Sequence, residues 1–196
     1  MSRAPRTRAT PKSGVREDPA SAYDMTHADE GIERRTLACI VDNEPGVLAR
    51  VVGLFSARGY NIESLTVAEI DRNAHQSRIT IVTSGTNHVL EQIEQQLLRL
   101  VLVAKVIDVT NSTGGIEREL ALVKVAGTGE KRVESLRISE IFRARVIDTT
   151  NESFIFEVTG ASQKIDQFVE LMRPLGLVEV SRTGVLSIQR GKEKAG

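Results

Sequence analysis

One order of elements, strand–helix–strand–strand–helix–strand, is written twice along this chain, on either side of the linker Asn111-Ser112-Thr113-Gly114-Gly115. Repetition of a supersecondary unit constrains a fold more than any single motif does. In the first copy, Thr36 to Val41 is a short apolar run that Asp42-Asn43-Glu44-Pro45-Gly46 breaks with turn residues. Leu48, Val51, Val52 and Phe55 follow at i, i+3, i+4 and i+7, the stripe of a helix ending near Gly59. Ile62 to Ile70 and Ser77 to Thr83 predict two strands joined by a polar loop. Leu90, Ile93, Leu97 and Leu100 mark a second helix, and Leu102 to Val109 a last strand.

The second copy runs Glu119 to Ala126 as a strand, Glu130 to Arg143 as a helix, and Arg145 to Thr150 with Ser153 to Thr159 as a strand pair. Ile165, Phe168, Val169 and Met172 make its second helical stripe, and Leu177 to Ile188 its last strand, folded into a hairpin at Thr183-Gly184. The expectation is an α+β protein. Each βαββαβ copy forms a four-stranded antiparallel sheet with two helices on one face, the split β-α-β arrangement. Val106 to Asn111 and Val146 to Asn151 match at every position but Val109 and Thr149. They fall on non-equivalent strands of the two copies, so the match is read as coincidence.

Residues 1–34 differ from both copies. They hold Pro5, Pro11 and Pro19, many Ser, Thr and Ala, and no hydrophobic periodicity. Such a segment buries too little apolar surface to offset its ordering entropy, so a disordered tail is expected. Its Arg- and Ser-containing start has no amphipathic helix pattern of a transit peptide, and no apolar secretory core follows. Lys and Arg total 26 and Asp and Glu 26, which gives no sequence-independent pull toward nucleic acid or a membrane surface. With Cys39 the one cysteine, no internal disulfide forms, and a cytoplasmic protein is expected.

Little in the chain suggests catalysis. Cys39 alternates with Leu37 and Val41 and reads as a core residue rather than a nucleophile. His27, His75 and His88 are scattered, so no metal site is expected. Gly127-Thr128-Gly129-Glu130-Lys131 lacks the spacing of a phosphate loop and reads as a strand-to-helix turn. Phe154 and Phe156 share a strand face where an RNA-binding module would stack bases, but Glu152 and Glu157 flank them, so a buried pair is expected.

The informative place is the first turn. Pro45 fixes φ and Gly46 allows close backbone approach where the strand enters the helix. The amides of Gly46, Val47 and Leu48 would face outward there, and the helix dipole favours an anion such as a free carboxylate. The Asn43 side chain could accept from an ammonium group. The alternative is that Asp42 or Asn43 simply caps the helix.

The residues around that turn carry a resemblance. Asn43-Glu44-Pro45-Gly46-Val47-Leu48-Ala49-Arg50-Val51, with Phe55-Ser56-Ala57-Arg58-Gly59-Tyr60-Asn61-Ile62-Glu63-Ser64-Leu65-Thr66-Val67, closely resembles the small subunit of acetolactate synthase (acetohydroxyacid synthase). Ser77 to Val82, Gln92 to Leu97, Glu117 to Leu120, Glu140 to Ala144 and Arg182 to Val185 continue it in order. The resemblance implies an ACT domain over 35–110, a known amino-acid sensor, and a C-terminal ferredoxin-like domain over 116–191. It implies a non-catalytic regulatory subunit in branched-chain amino-acid biosynthesis. Such a subunit activates a separate catalytic subunit and confers feedback inhibition by valine, leucine or isoleucine, with valine the leading candidate. Thiamine diphosphate, Mg and commonly FAD would sit on that catalytic partner, and no cofactor on this chain. It also implies a homodimer through the ACT domains, with the effector between Asn43, Gly46, Val47 and Leu48 of one protomer and Asn61 and Ile62 of the other. A free-standing amino-acid sensor acting on another enzyme or on transcription is the alternative.

Overall fold

The computed structural model describes residues 31–111 and 115–192; the expected tail, up to Glu30, lies outside them. The first lobe runs β1 (Glu33–Asp42), α1 (Val47–Arg58), β2 (Ser64–Asp71), β3 (Gln76–Gly85), α2 (Asn87–Leu98) and β4 (Val103–Asp108). The second runs β5 (Ile116–Ala126), α3 (Glu130–Phe142), β6 (Arg145–Thr149), β7 (Ser153–Gly160), α4 (Ser162–Gly176), β8 (Leu177–Arg182) and β9 (Leu186–Ile188). The sheets are ordered β2-β3-β1-β4 and β6-β7-β5-β8, with β9 also on β5. Every strand pair is antiparallel. The expected α+β fold of two βαββαβ units is what forms.

Alternation builds each sheet's helix-facing side. Leu37, Cys39 and Val41 of β1 pack with Ile79 and Ile81 of β3 against Val51 and Phe55 of α1 and Leu90, Ile93 and Leu97 of α2. Burying each large aliphatic or aromatic side chain there stabilises the fold by about 1.5–3 kcal/mol. In the second lobe Val123, Val125, Phe154, Phe156 and Val158 meet Ile165, Phe168 and Met172 of α4. Phe154 and Phe156 are thus a buried pair as expected, 6% and 0% exposed, and the Arg132 guanidinium stacks 3.9 Å over the Phe154 ring.

Three expectations need correction. The first strand begins before residue 35, because Glu33 and Arg34 already pair with Gly85 and Ser84 in the ladder. Arg34 reads as tail by polarity, yet its guanidinium meets Glu63 and Glu117. The buried stripe of α1 is Val47, Val51, Leu54 and Phe55, one step round from the expected set, which leaves Leu48 39% exposed beside the first turn.

Last, Thr183-Gly184 is not a hairpin turn. Both β8 and β9 pair with β5, from Val125 opposite Leu177 to Ile116 opposite Ile188, so the chain keeps its direction and only bends away between them. The bend is held by Thr183, whose amide donates to the Leu120 carbonyl at 3.0 Å and whose Oγ1 accepts from the Leu120 amide at 3.1 Å.

That bend and β9 cover the other side of the first sheet. In the observed register Thr36, Ala38 and Ile40 share a face with Val82, Thr80 and Arg78, and with Ser64 and Thr66. On it Arg78 Nη2 donates to the Ser187 carbonyl at 2.8 Å, and the Val185 amide donates to Ser64 Oγ at 2.9 Å. Thr36, Ala38, Ile40, Thr80 and Val82 are consequently 0–3% exposed. The first sheet is therefore covered on both faces, by its own helices in front and by the second lobe behind.

Candidate functional site

The first turn leaves β1 on two anchors. The Asp42 amide donates to the Leu102 carbonyl at 2.9 Å and the Asn43 amide to the His75 carbonyl at 2.6 Å. Gly46 then takes φ +90°, ψ −6° as the residue before α1, a left-handed conformation that glycine adopts without a side-chain penalty. Among the described residues no side chain caps this helix start, and no acidic residue lies in its first turn. The capping alternative for Asp42 or Asn43 is therefore not what forms. Of the three amides expected to face outward, that of Val47 is taken up by the Glu44 carbonyl at 3.3 Å. Those of Gly46 and Leu48 have no partner among the described residues. Space above the Gly46 Cα is open to 4 Å. Two free donors at an uncapped positive helix end, over open space, suit a carboxylate.

Asn43 is held as well. Its Nδ2 donates to Glu69 Oε1 at 3.4 Å, which leaves Oδ1 as an acceptor for an ammonium group. Glu69 was not visible as part of this site in the sequence, because only the β2–β3 register brings it beside the turn.

Asn61 and Ile62 lie at the other end of the sheet. The Asn61 carbonyl accepts from Thr83 Oγ1 at 2.6 Å, and Thr83 pairs with Arg35 on β1. The turn follows Asp42, seven strand residues further on, which is about 24 Å at strand rise. Within one protomer the two halves of the candidate site are not brought together.

Comparison with known proteins follows the same division into lobes. Residues 37–105 match the family model described as the AHAS small subunit-like ACT domain, and 118–191 that of the small subunit of acetolactate synthase. The chain is 47% identical over 161 residues to the probable acetolactate synthase small subunit of Archaeoglobus fulgidus, covering 82% of this chain and 99% of that one. It is 46% identical to the acetolactate synthase isozyme 3 small subunit of Escherichia coli, covering 81% and 96%. The chain belongs to the acetolactate synthase small-subunit family. The crystal structure of the Thermotoga maritima acetolactate synthase small subunit superposes with a TM-score of 0.74 at 36% identity, over 82% of this chain and 99% of that one.

Other candidates in this acetolactate synthase small-subunit homologue are absorbed by its fold. Cys39 is fully buried, and that burial pushes its thiol up to about 12, with Arg78 opposing and Glu94 adding to the shift. A thiol so held does not ionise near neutrality and is no nucleophile. Gly127-Thr128-Gly129 forms the turn from β5 into α3, whose first residues are Glu130 and Lys131. No cluster of three or more metal-ligating side chains occurs among the described residues. No described helix is long and apolar enough to cross a membrane.

Proposed function

We propose that this chain is the regulatory subunit of an acetolactate synthase, acting in branched-chain amino-acid biosynthesis. It activates the catalytic subunit and confers feedback inhibition by a branched-chain amino acid, valine foremost. The observation that carries the reading is the separation of the two half-sites at opposite ends of one sheet. β2 is an edge strand of that sheet. A second copy set antiparallel along this edge by a two-fold axis would bring its Asn61 and Ile62 to the first turn of the other, and the reverse. Two equivalent sites then form at once, as an isologous interface requires. Each offers the Gly46 and Leu48 amides to a carboxylate, Asn43 Oδ1 to an ammonium group, and the exposed Leu48 with Ile62 to an aliphatic side chain. This is the chemistry of a small apolar α-amino acid. The relatives' names, small subunits of acetolactate synthase, support a separate catalytic partner; thiamine diphosphate, Mg and commonly FAD are proposed to reside on that partner and not on this chain.

The test is reconstitution. Added to the acetolactate synthase catalytic subunit from the same cell, this chain is expected to raise acetolactate formation from pyruvate and to make it sensitive to valine, leucine or isoleucine. By itself, with thiamine diphosphate and Mg supplied, it is expected to form none. Turnover by the chain alone, or no effect on the catalytic subunit, overturns the reading.

A further inference from the structure

Two residues beyond Ile62, β2 touches the second lobe. Ser64 Oγ accepts from the Val185 amide at 2.9 Å, and Thr66 Oγ1 donates to the Thr183 carbonyl at 3.4 Å. Between those contacts sits Gly184 at φ +81°, where a Cβ would stand 2.7 Å from Ser64 Oγ and 2.9 Å from Thr66 Oγ1. Glycine alone lets the bend lie this close to β2.

The same bend is bonded into the second lobe on both sides. Thr183 is fixed to Leu120 of β5 through backbone and hydroxyl. Arg182, the residue before it, ties Glu119 of β5 to Asp166 of α4. The neighbouring cleft, about 470 Å³, lies between Ser64 and Leu65 of one lobe and Ser162, Asp166 and Arg182 of the other. Among the described residues, β2 is paired along one side only, by β3.

We propose that the bend Thr183-Gly184-Val185, seated on Ser64 and Thr66, is the relay by which an amino acid held against Asn61 and Ile62 acts on the second lobe. The inference rests on the effector reading above. An effector that pulls the start of β2 toward a partner protomer loads these two contacts, and the bend cannot follow without disturbing β5 and α4. The coupling is an ordinary free-energy linkage: it exists to the extent that the two contacts differ between the free and bound arrangements. Ser64 and Thr66 are positioning residues in this scheme and touch no effector.

The experiment uses holoenzyme rebuilt with the Ser64→Ala, Thr66→Val double variant. Valine binding to the variant small subunit, by calorimetry, is expected within about twofold of wild type. The inhibition reached at saturating valine is expected to fall severalfold. Amide exchange of wild-type holoenzyme is expected to change at Val185 to Ser187 when valine is added. A folded variant inhibited at saturation as fully as wild type overturns the relay. So does unchanged exchange at Val185 to Ser187 with valine bound, a measurement that stands even if the variant does not fold. No binding of valine, leucine or isoleucine to wild type at all overturns the effector reading, and the relay with it.

Discussion

The Arg182 guanidinium grips the Glu119 carboxylate through two bonds, Nε to Oε1 at 2.7 Å and Nη2 to Oε2 at 2.6 Å. Its third donor, Nη1, reaches Asp166 at 2.6 Å. The bond to Glu119 is the largest influence holding Arg182 above its usual range, and Asp166 reinforces it against the cost of desolvation. Paired donors of this kind match a carboxylate in geometry as well as in charge.

Glu119 is only 5% exposed, so Arg182→Met leaves a buried carboxylate without its partner. Full burial would make that loss about 3–5 kcal/mol; with Arg182 partly in solvent, about 2 kcal/mol is expected. Urea unfolding measures it. Adding Glu119→Gln to Arg182→Met should recover at least half, since no buried charge then remains. A loss under about 0.5 kcal/mol would mean that solvent replaces the pair.

Cys39 predicts a loss of stability in alkali. Its folded-state value, about 12, stands above the 9.0 of a free thiol. The fold therefore favours the protonated form. This contribution is whole below about pH 9 and is lost as pH climbs toward 12, by up to about 1.4 kcal/mol per pH unit. Between those limits wild type should lose stability more steeply than Cys39→Ala, compared by chemical denaturation. Equal slopes, or rapid labelling of the folded thiol at pH 8, would contradict the burial described.

At Gly46 two effects of a substitution separate. Aspartate finds open space there but must accept φ +90°, a strain of about 1 kcal/mol. Its charge also lies where the effector carboxylate is proposed to bind. Two like charges about 4 Å apart repel by roughly 1–4 kcal/mol, a fivefold to several-hundredfold loss of affinity. Gly46→Asp is expected to remove inhibition and keep activation of the catalytic subunit. Gly46→Asn, with similar backbone strain and no charge, should retain much more inhibition. The check is a valine titration of both holoenzymes; equal inhibition of Gly46→Asp and wild type would move the effector elsewhere.

Elements whose partners are their own near neighbours were legible in the sequence. The alternation of Leu37, Cys39 and Val41 announces a strand with one apolar side, and Leu90, Ile93 and Leu97 announce a helix face. Both patterns are local, and both form. What escaped is what distant segments decide. Thr36, Thr80, Ser64 and Thr66 have the polarity of a solvent-facing side, yet Thr36 and Thr80 are buried, on the sheet face where residues more than a hundred positions later bond to Ser64 and Arg78. Thr183-Gly184 has hairpin composition, but strand pairing is settled by β5, some 60 residues earlier, which offers edge enough for both β8 and β9. Leu48 fits a helical stripe on spacing alone, and only the packed helix shows that Val47 takes the inward place. For the candidate site the turn could be read directly, whereas its division between two ends of a sheet could not.

The second lobe's cover over the back of the first sheet also has a consequence for biosynthesis. Ala38, Ile40 and Ile107 of the first lobe leave the ribosome long before Val185 and Ser187, the residues that finally shield that side. At about 5–20 residues per second the stretch from Ile107 to Ser187 alone takes roughly 4–16 s. Through that window a nascent chain can complete its helix-facing core while displaying an unshielded apolar sheet surface, a natural landing place for a chaperone. A premature stop between the lobes would leave that surface bare for good, and such a fragment is expected to aggregate in spite of having all six elements of its fold.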